Sequence, residues 1–313
     1  KKSEGQGNLS LALSEKSNMS INIMKRPGRN EACWCGSGRK YKQCHEALDD
    51  KILMYQRQGH IVPDHEMIKN PEQIQGIRDS AKINCAVLDA VAEKICVGMP
   101  TGDIDRIVAE TTRAMGGIPA PLNYEGYPKS VCTSINDQVC HGIPSAEDIL
   151  KDGDIVNVDC STIYKGYFSD SSRMFCLGNV SEEDQKLVRV AKECMELGIK
   201  EAKPWGFLGD IAQVINDHAI ENGYSVVREI GGHGVGIEFH EEPWVSYVTK
   251  RGTEMLLVPG MVFTIEPMIN AGRHDIYVDD ENDWTVYTED GKKSAQWEVT
   301  IAITEDGNEV ISW

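Results

Sequence analysis

The chain has 313 residues, enough to bury a large core and to form one large domain or two smaller ones. Its 49 acidic residues outnumber 32 basic ones, and the net charge of −17 argues against nucleic-acid binding by the chain as a whole. Apolar runs are too short for a membrane-spanning helix, so no membrane association is predicted. The ten cysteines come without an export signal, which favours a reducing compartment, and the cytoplasm is predicted.

Residues 1–24 are polar and aperiodic, and they are predicted to be a disordered leader or an extension upstream of Met24. Residues 25–48 contain Cys33, Cys35, Cys44 and His45. Three thiolates and one imidazole at this spacing match a closed tetrahedral zinc site, whose metal would supply the folding free energy of so short a segment. The alternative is a loop with unrelated cysteines. We predict a zinc knuckle with one structural zinc ion.

The knuckle is locally basic in an acidic chain. It carries Lys25, Arg26, Arg29, Arg39, Lys40 and Lys42 against Glu31, or 6 − 1 = +5. Such a patch could dock on RNA or on an acidic protein, for instance at a ribosome, or could simply be solvated. The motif resembles the zinc-binding tail of the SecA preprotein-translocase ATPase, where it contacts partner proteins.

Residues 49–70 are predicted to be a linker with one short helix, followed by a domain over 71–313. Asn70 as N-cap, Pro71 at the first position and Gln73 at the third predict a helix start. Further helices are predicted over 102–115, from the Ser181 cap to 202, and over 208–221. Strands are predicted over 130–135, 154–160 and 224–230.

A glycine followed by a strand that ends in a carboxylate occurs twice, at 153–159 and at 260–266, which is 107 residues apart. This repeat predicts two α/β halves related by a pseudo-twofold axis. Corresponding strand ends, and with them Asp159 and Glu266, would then meet at the seam between the halves.

Residues 155–170 read as a β-hairpin with a turn at 164–166. If the hairpin centres between Tyr164 and Lys165, Asp159 and Asp170 lie directly opposite each other on one face. Like charges placed in this way repel, so a divalent metal is expected between them. Two aspartates in a solvated hairpin are the alternative.

Five polar residues at predicted strand ends form the candidate metal site: Asp159, Asp170, His233, Glu266 and Glu298. Strand alternation places Glu298 on the face opposite Trp297. Four converging carboxylates without cations would repel strongly, so two divalent ions are implied. One imidazole among carboxylates suits manganese, iron, cobalt, nickel or zinc.

The segments around these residues resemble type I methionine aminopeptidases over about residues 71–313. They read VCHGIP (139–144), NVD (157–159), YFSD (167–170), GHGVGIEFHEEP (232–243), FTIEPM (263–268) and AQWE (295–298). The resemblance implies the pita-bread fold, a pseudo-symmetric α/β fold with helices on the outer face of its sheet. It also implies metal-dependent removal of N-terminal methionine from nascent proteins and peptides with a small second residue.

By the same resemblance, Asp159 would bind one metal and His233 the other, Asp170 and Glu298 would bridge them, and Glu266 would complete the second site. Glu266 would also shuttle the proton, His240 would stabilise the oxyanion, and His141 would contact the substrate amide. The residues that match the methionine pocket are Tyr124, Tyr127, Cys132, Phe239 and Trp284, with His141 and His240 also touching substrate. Trp297 and Pro121 depart from the family pattern and were candidates to reshape the pocket.

Two other functions stay open on the sequence alone. One is a proline-specific aminopeptidase with the same fold, and the other is a non-catalytic member that binds ribosomes or RNA. Retention of every metal-ligand position favours the methionine-specific enzyme, which is predicted to act as a monomer.

Overall fold

The computed structural model describes residues 25–313. The chain divides into two units, of which the first ends at Glu46 and the second is Ala47–Trp313. The leader predicted for residues 1–24 lies outside the described residues. Within the described part, no helix is long and apolar enough to span a membrane.

The chain runs through a group of helices and then a group of strands, twice. The helices are α1 (Glu46–Arg57), α2 (Pro71–Ala92), α3 (Thr101–Ala114), α4 (Glu182–Glu201) and α5 (Leu208–Glu221), with 3-10 turns at Tyr41–Gln43 and Tyr124–Gly126. The strands are β1 (Ile118–Pro119), β2 (Cys132–Ile135), β3 (Gln138–Cys140), β4 (Ile155–Tyr164), β5 (Tyr167–Cys176), β6 (Ser225–Val226), β7 (Gly232–Gly234), β8 (Glu241–Val245), β9 (Val262–Ile265), β10 (Met268–Asn270), β11 (Ile276–Val278), β12 (Val286–Thr288), β13 (Ser294–Gln296), β14 (Val299–Ile303) and β15 (Asn308–Ser312).

The predicted helix starts are confirmed by their caps. Asn70 Oδ1 accepts from the backbone N–H of Gln73 at 2.9 Å, and Gln73 Oε1 accepts from the N–H of Asn70 at 2.8 Å. Ser181 Oγ accepts from the N–H of Asp184 at 3.1 Å. Each cap satisfies backbone donors that the first helical turn leaves without a partner.

Two antiparallel sheets carry the candidate site. In one, β4 is flanked by β1 and β2 and also pairs with β5; the other has the order β15-β14-β9-β7-β8. They meet where the backbones of Ser172 and Glu298 exchange two N–H···O bonds of 3.3 Å. Smaller sheets, β13-β10-β6 and β11-β12-β3, complete this part of the fold.

The predicted repeat is visible at the starts of β4 and β9. Gly153 (φ 90°) and Gly260 (φ 98°) precede these strands in a conformation that side chains disfavour. On one half, α2 packs on β4 and β5, and Asn84 Nδ2 donates to the carbonyl of Cys160 at 2.7 Å. On the other half, α4 lies so close to β9 that a Cβ on Gly198 would be 3.2 Å from Ile265 Cγ2. In each half, therefore, a helix packs on a central strand: α2 on β4 and α4 on β9.

The predicted hairpin exists, but its predicted register is wrong by two residues. Lys165 (φ 51°) and Gly166 (φ 83°) form the turn, so Tyr164 pairs with Tyr167 and Asp159 pairs with Ser172. Asp159 and Asp170 are thus diagonal neighbours and not direct partners. They still share one face, because side chains alternate with a period of two.

One predicted strand is shorter than expected, and the predicted linker makes backbone contacts. The strand predicted over 224–230 is reduced to Ser225–Val226, because the chain leaves β10 after the Val227 N–H has bonded to the carbonyl of Met268. The stretch after α1 lies within the second unit, where the carbonyl of Ile61 accepts from the N–H of Leu256 at 2.9 Å.

Candidate metal centre and active site

The five predicted metal ligands converge at the seam between the two sheets. Asp159 lies on β4, Asp170 on β5, His233 on β7, Glu266 directly after β9 and Glu298 directly before β14. Asp170, His233 and Glu298 each offer a ligand atom within 4.8 Å of the others. His233 Nε2 lies 3.8 Å from Asp170 Oδ2 and 3.5 Å from Glu266 Oε1.

The ring of His233 is held with one nitrogen facing the carboxylates. Its Nδ1 lies 2.9 Å from the carbonyl oxygen of Gly234, which can only accept, so Nδ1 carries the proton. Burial lowers the pKa of His233 to about 4, and the ring is neutral at pH 7. Nε2 therefore presents a lone pair to the seam, as a metal-ligating imidazole does.

Hydrogen bonds fix the carboxylate orientations. Ser161 Oγ donates to Asp170 Oδ1 at 2.7 Å, Thr264 Oγ1 donates to Glu266 Oε1 at 2.7 Å, and Gln296 Nε2 donates to Glu266 Oε2 at 3.0 Å. The sequence interpretation missed these three residues. Thr264 precedes Glu266 by two residues, so strand alternation was a signal for it. Ser161 and Gln296 bond carboxylates on neighbouring strands, which the sequence did not show.

Without metal, the seam disfavours the ionised form of its four carboxyl groups. Burial raises the pKa of Glu266 to about 8 and that of Asp170 to about 6. Burial, reinforced by the neighbouring carboxylates, raises the pKa of Asp159 and Glu298 well above the usual range. A divalent cation would offset both the desolvation and the mutual repulsion.

The residues present fit divalent ions. Asp159 Oδ1 is buried without a hydrogen-bond partner among the described residues. Together with the lone pair of His233 Nε2, it leaves donor atoms aimed at a shared space, in a set of oxygens and one nitrogen that manganese, iron, cobalt or zinc accept.

An aromatic wall adjoins the cluster and contains His240. The Phe239 ring lies 4.8 Å from Tyr124 and 4.3 Å from His240, and His240 lies 4.3 Å from His233. His240 Nδ1 is 2.9 Å from the hydroxyl of Tyr124.

A second aromatic group lies near the cluster, and the two groups together are called the slot. The Tyr127 and Trp284 rings are 5.1 Å apart, and Trp284 lies 6.3 Å from His141. The His141 backbone is left-handed (φ 55°), and its Nδ1 is buried without a hydrogen-bond partner in the described chain. Cys132 faces the cluster as the strand partner of Asp159. The structure thus brings all the predicted pocket residues to the seam.

Trp297, which departs from the family pattern, points towards α4. Its Nε1 donates to the carbonyl of Val188 on α4 at 3.1 Å. This places the ring on the helix side of the strand, opposite Glu298, as the predicted alternation requires. Pro121 is buried, and its carbonyl accepts from the Tyr124 N–H at 3.0 Å, so it helps to position the pocket turn.

The first unit gathers its own donor set. Cys33, Cys35, Cys44 and His45 each offer one atom within 4.8 Å of the others. Cys35 Sγ and Cys44 Sγ are 3.6 Å apart, and Cys44 Sγ lies 3.3 Å from His45 Nδ1. Tetrahedral ligands at Zn–S distances of about 2.3 Å are roughly 3.7 Å apart, so the spacing fits zinc.

Comparison with known proteins gives the family. Residues 75–305 match metallopeptidase family M24, and residues 29–47 match the SEC-C motif. The chain is 43% identical over 288 residues to a methionine aminopeptidase of Chlamydia pneumoniae, covering 91% of this chain and 98% of the relative. It is 46% identical over 240 residues to methionine aminopeptidase A of Synechocystis, covering 77% and 94%.

The fold comparison agrees. The crystal structure of a methionine aminopeptidase from Rickettsia prowazekii superposes with a TM-score of 0.77 at 40% identity, over 79% of this chain and 99% of the other. The predicted pita-bread fold is confirmed. The chain therefore belongs to the methionine aminopeptidases of metallopeptidase family M24 and carries an additional SEC-C motif.

Proposed function

We propose that this chain removes the N-terminal methionine from peptides and nascent proteins with a small second residue, in a reaction that depends on two divalent ions. The observation that carries the proposal is the cluster at the seam of three buried carboxylates, the half-buried Asp159 and one neutral imidazole, in a chain of this family. The aromatic slot beside the cluster supports methionine as the side chain recognised.

The proposed ligands are Asp159, Asp170, His233, Glu266 and Glu298. Divalent ions held there supply an activated water near neutral pH and polarise the scissile carbonyl. Cobalt, manganese, iron, zinc and nickel are all compatible with the donor set.

The chain's own residues move and place protons. Glu266, a proposed ligand beside the attacking water, would take a proton from that water and pass it to the leaving amine. A hydrogen bond from the Tyr124 hydroxyl to His240 Nδ1 would leave Nε2–H as a donor for the developing oxyanion. His141 would contact the substrate amide.

The slot sets specificity. Tyr127, Trp284, Phe239 and Cys132 present aromatic and sulfur surfaces that suit a thioether. Tyr127 is anchored by its hydroxyl, whose single proton can be shared between the carbonyls of Val131 at 3.0 Å and Gly142 at 2.9 Å. A rigid wall of this kind favours one side-chain shape.

The test is cleavage of Met-Ala-Ser and of Gly-Pro-Ala by protein loaded with manganese or treated with a chelator. We expect metal-dependent release of methionine from the first peptide and no cleavage of the second. Preferential cleavage of Gly-Pro-Ala would favour a proline-specific aminopeptidase. Ribosome binding without any hydrolysis by metal-loaded protein would favour the non-catalytic alternative.

For the first unit we propose one structural zinc and a docking role at the ribosome. Lys25, Arg39, Lys40 and Lys42 are exposed around the donor set. A basic surface of this kind suits phosphate-rich RNA, and its binding should weaken steeply with salt. Co-sedimentation with ribosomes at rising salt concentration tests it.

A further inference from the structure

We propose that Lys69 positions the catalytic His240 by holding the carboxylate of Glu241 inside the loop that carries His240. This inference rests on the proposed function, because it assigns a role in that reaction to a residue outside the segment that matches the peptidase family, 75–305.

Glu241 closes the loop on itself. Its Oε1 accepts from the backbone N–H of Ile237 at 2.6 Å and of Glu238 at 2.8 Å. Its Oε2 binds Lys69 Nζ. One carboxylate therefore ties both sides of the turn that presents Phe239 and His240.

Lys69 is unusual for a lysine that contacts a loop, because its side chain is only 2% exposed. Lys69 Nζ also donates to the carbonyl of Glu66 at 3.0 Å. The Lys69 backbone is fixed as well, since its N–H donates to the carbonyl of Gly260 at 2.9 Å, just before β9. Its neighbour Ile68 is buried and bridges to Met261. Lys69 therefore extends from a rigid strand start to the loop.

The loop tip transmits this position to the cluster. Phe239 is 8% exposed and packs on Tyr124 and on Phe168, with ring centroids 4.8 Å and 6.0 Å apart. His240 then lies against His233, a proposed metal ligand, at 4.3 Å. A shift of the loop would move His240 relative to the scissile carbonyl, and displacements of about 1 Å can cost about 100-fold in rate.

Loss of the Lys69 charge should loosen this arrangement. Glu241 would keep its negative charge in a largely enclosed position with only two backbone donors, and the uncompensated charge would favour an opened loop exposed to water. Lys69 is not one of the proposed metal ligands at the seam, so the metal content of the Lys69 variant should be unchanged.

The activity test uses Lys69→Met with Lys82→Met as matched control, because Lys82 pairs with Asp79 on the surface and is 71% exposed. We expect Lys69→Met to lower kcat on Met-Ala-Ser by about tenfold or more, with a smaller change in KM and full manganese content. Lys82→Met should match the unmodified chain. In a His240→Ala background, Lys69→Met should cause no further loss of kcat, because it acts through that side chain. A further tenfold loss in that background, or an unchanged kcat in Lys69→Met, would overturn the proposal.

The second readout does not depend on turnover. Amide hydrogen exchange at Ile237 and Glu238 should be about tenfold faster or more in Lys69→Met, with exchange in β4 and β5 unchanged. If that variant does not fold, Glu241→Gln tests the same link and should speed exchange at the same two amides. Unchanged exchange at both amides would overturn the proposal. Absence of Met-Ala-Ser cleavage by the unmodified chain would instead overturn the proposed function, and exchange would still judge the role of Lys69.

Discussion

The two donor clusters of this chain are built in opposite ways. The cluster of the first unit takes four donors from thirteen consecutive residues, Cys33 to His45. The seam takes its donors from five separate elements between Asp159 and Glu298. Thiolates dominate the first cluster and carboxylates the second. A local cluster can be shaped by the metal it binds, whereas a dispersed one has to be shaped by its scaffold.

Burial in the two regions supports this distinction. In the described part of the first unit, the buried residues are Cys33 and Tyr41. Around the seam, Val158, Ile265 and Val299 are fully buried on the strands that carry the ligands. The first cluster has almost no hydrophobic core that could keep its donor atoms in place without metal. The seam is surrounded by a complete hydrophobic core. Its ligand arrangement should therefore persist in the metal-free protein, although the carboxylates repel one another there.

The largest effect should come from removing a seam ligand. Asp159→Asn or Glu298→Gln should lower kcat on Met-Ala-Ser by about 100-fold or more, since altering even supporting groups of a metal site costs about 10- to 100-fold. Near-UV circular dichroism should stay native, because the scaffold shapes the site. Glu305→Gln, an exposed carboxylate change, is the control. Normal turnover with full metal content in either ligand variant would refute the assignment.

A second effect should appear in the pH dependence of metal-free protein. Burial raises the pKa of Glu266 to about 8 from an ordinary value of 4.5. Between pH 7 and 8 the folded chain therefore holds a proton that the unfolded chain has lost. Stability should fall as pH rises, by up to about 1.4 kcal/mol per pH unit, until Glu266 deprotonates above pH 8.

Thermal unfolding of chelated protein at pH 7, 7.5 and 8 measures this fall. Burial lowers the pKa of His141 and His233 to about 4 and that of His240 to about 3. These rings are neutral in the folded chain but partly protonated in the unfolded chain at pH 7, so they oppose the fall there and contribute little by pH 8. Manganese should displace the proton and remove the decline. A metal-free Tm that stays level or rises from pH 7 to pH 8 would show that the seam does not retain protons as described.

The smallest effect on turnover should follow disruption of the first unit. Cys33→Ser should abolish binding of the proposed structural zinc and unfold that unit, because almost no core remains without metal. Cleavage of Met-Ala-Ser should stay within about twofold of the unmodified chain. Zinc analysis together with tripeptide kinetics checks both statements. Loss of tripeptide cleavage in this variant would show that the two regions are not energetically independent.

Much of both clusters could be predicted from the sequence, for different reasons. Four zinc-type donors in thirteen residues form a local signal. The seam ligands were recognised because each ends or begins a strand and because the surrounding segments resemble a known family. The repeat of 153–159 at 260–266 located the seam itself, since both glycines adopt the positive φ that precedes a central strand.

What the sequence did not reveal depended on contacts between distant segments. The hairpin register was placed two residues away because the left-handed conformation of Lys165 was not anticipated beside that of Gly166. The roles of Gln296 and Lys69 require knowledge of which strands are neighbours in space. Strand alternation separated Trp297 from Glu298, but its partner on the helix, the carbonyl of Val188, required the structure.

The most direct test of the central claim is a manganese titration of chelated protein, with bound metal and the rate of Met-Ala-Ser cleavage measured at each step. We predict no methionine release without metal and a rate that rises as the seam fills, in the unmodified chain but not in Glu298→Gln. Full cleavage by the metal-free chain, or no cleavage by the manganese-saturated chain, would contradict the account.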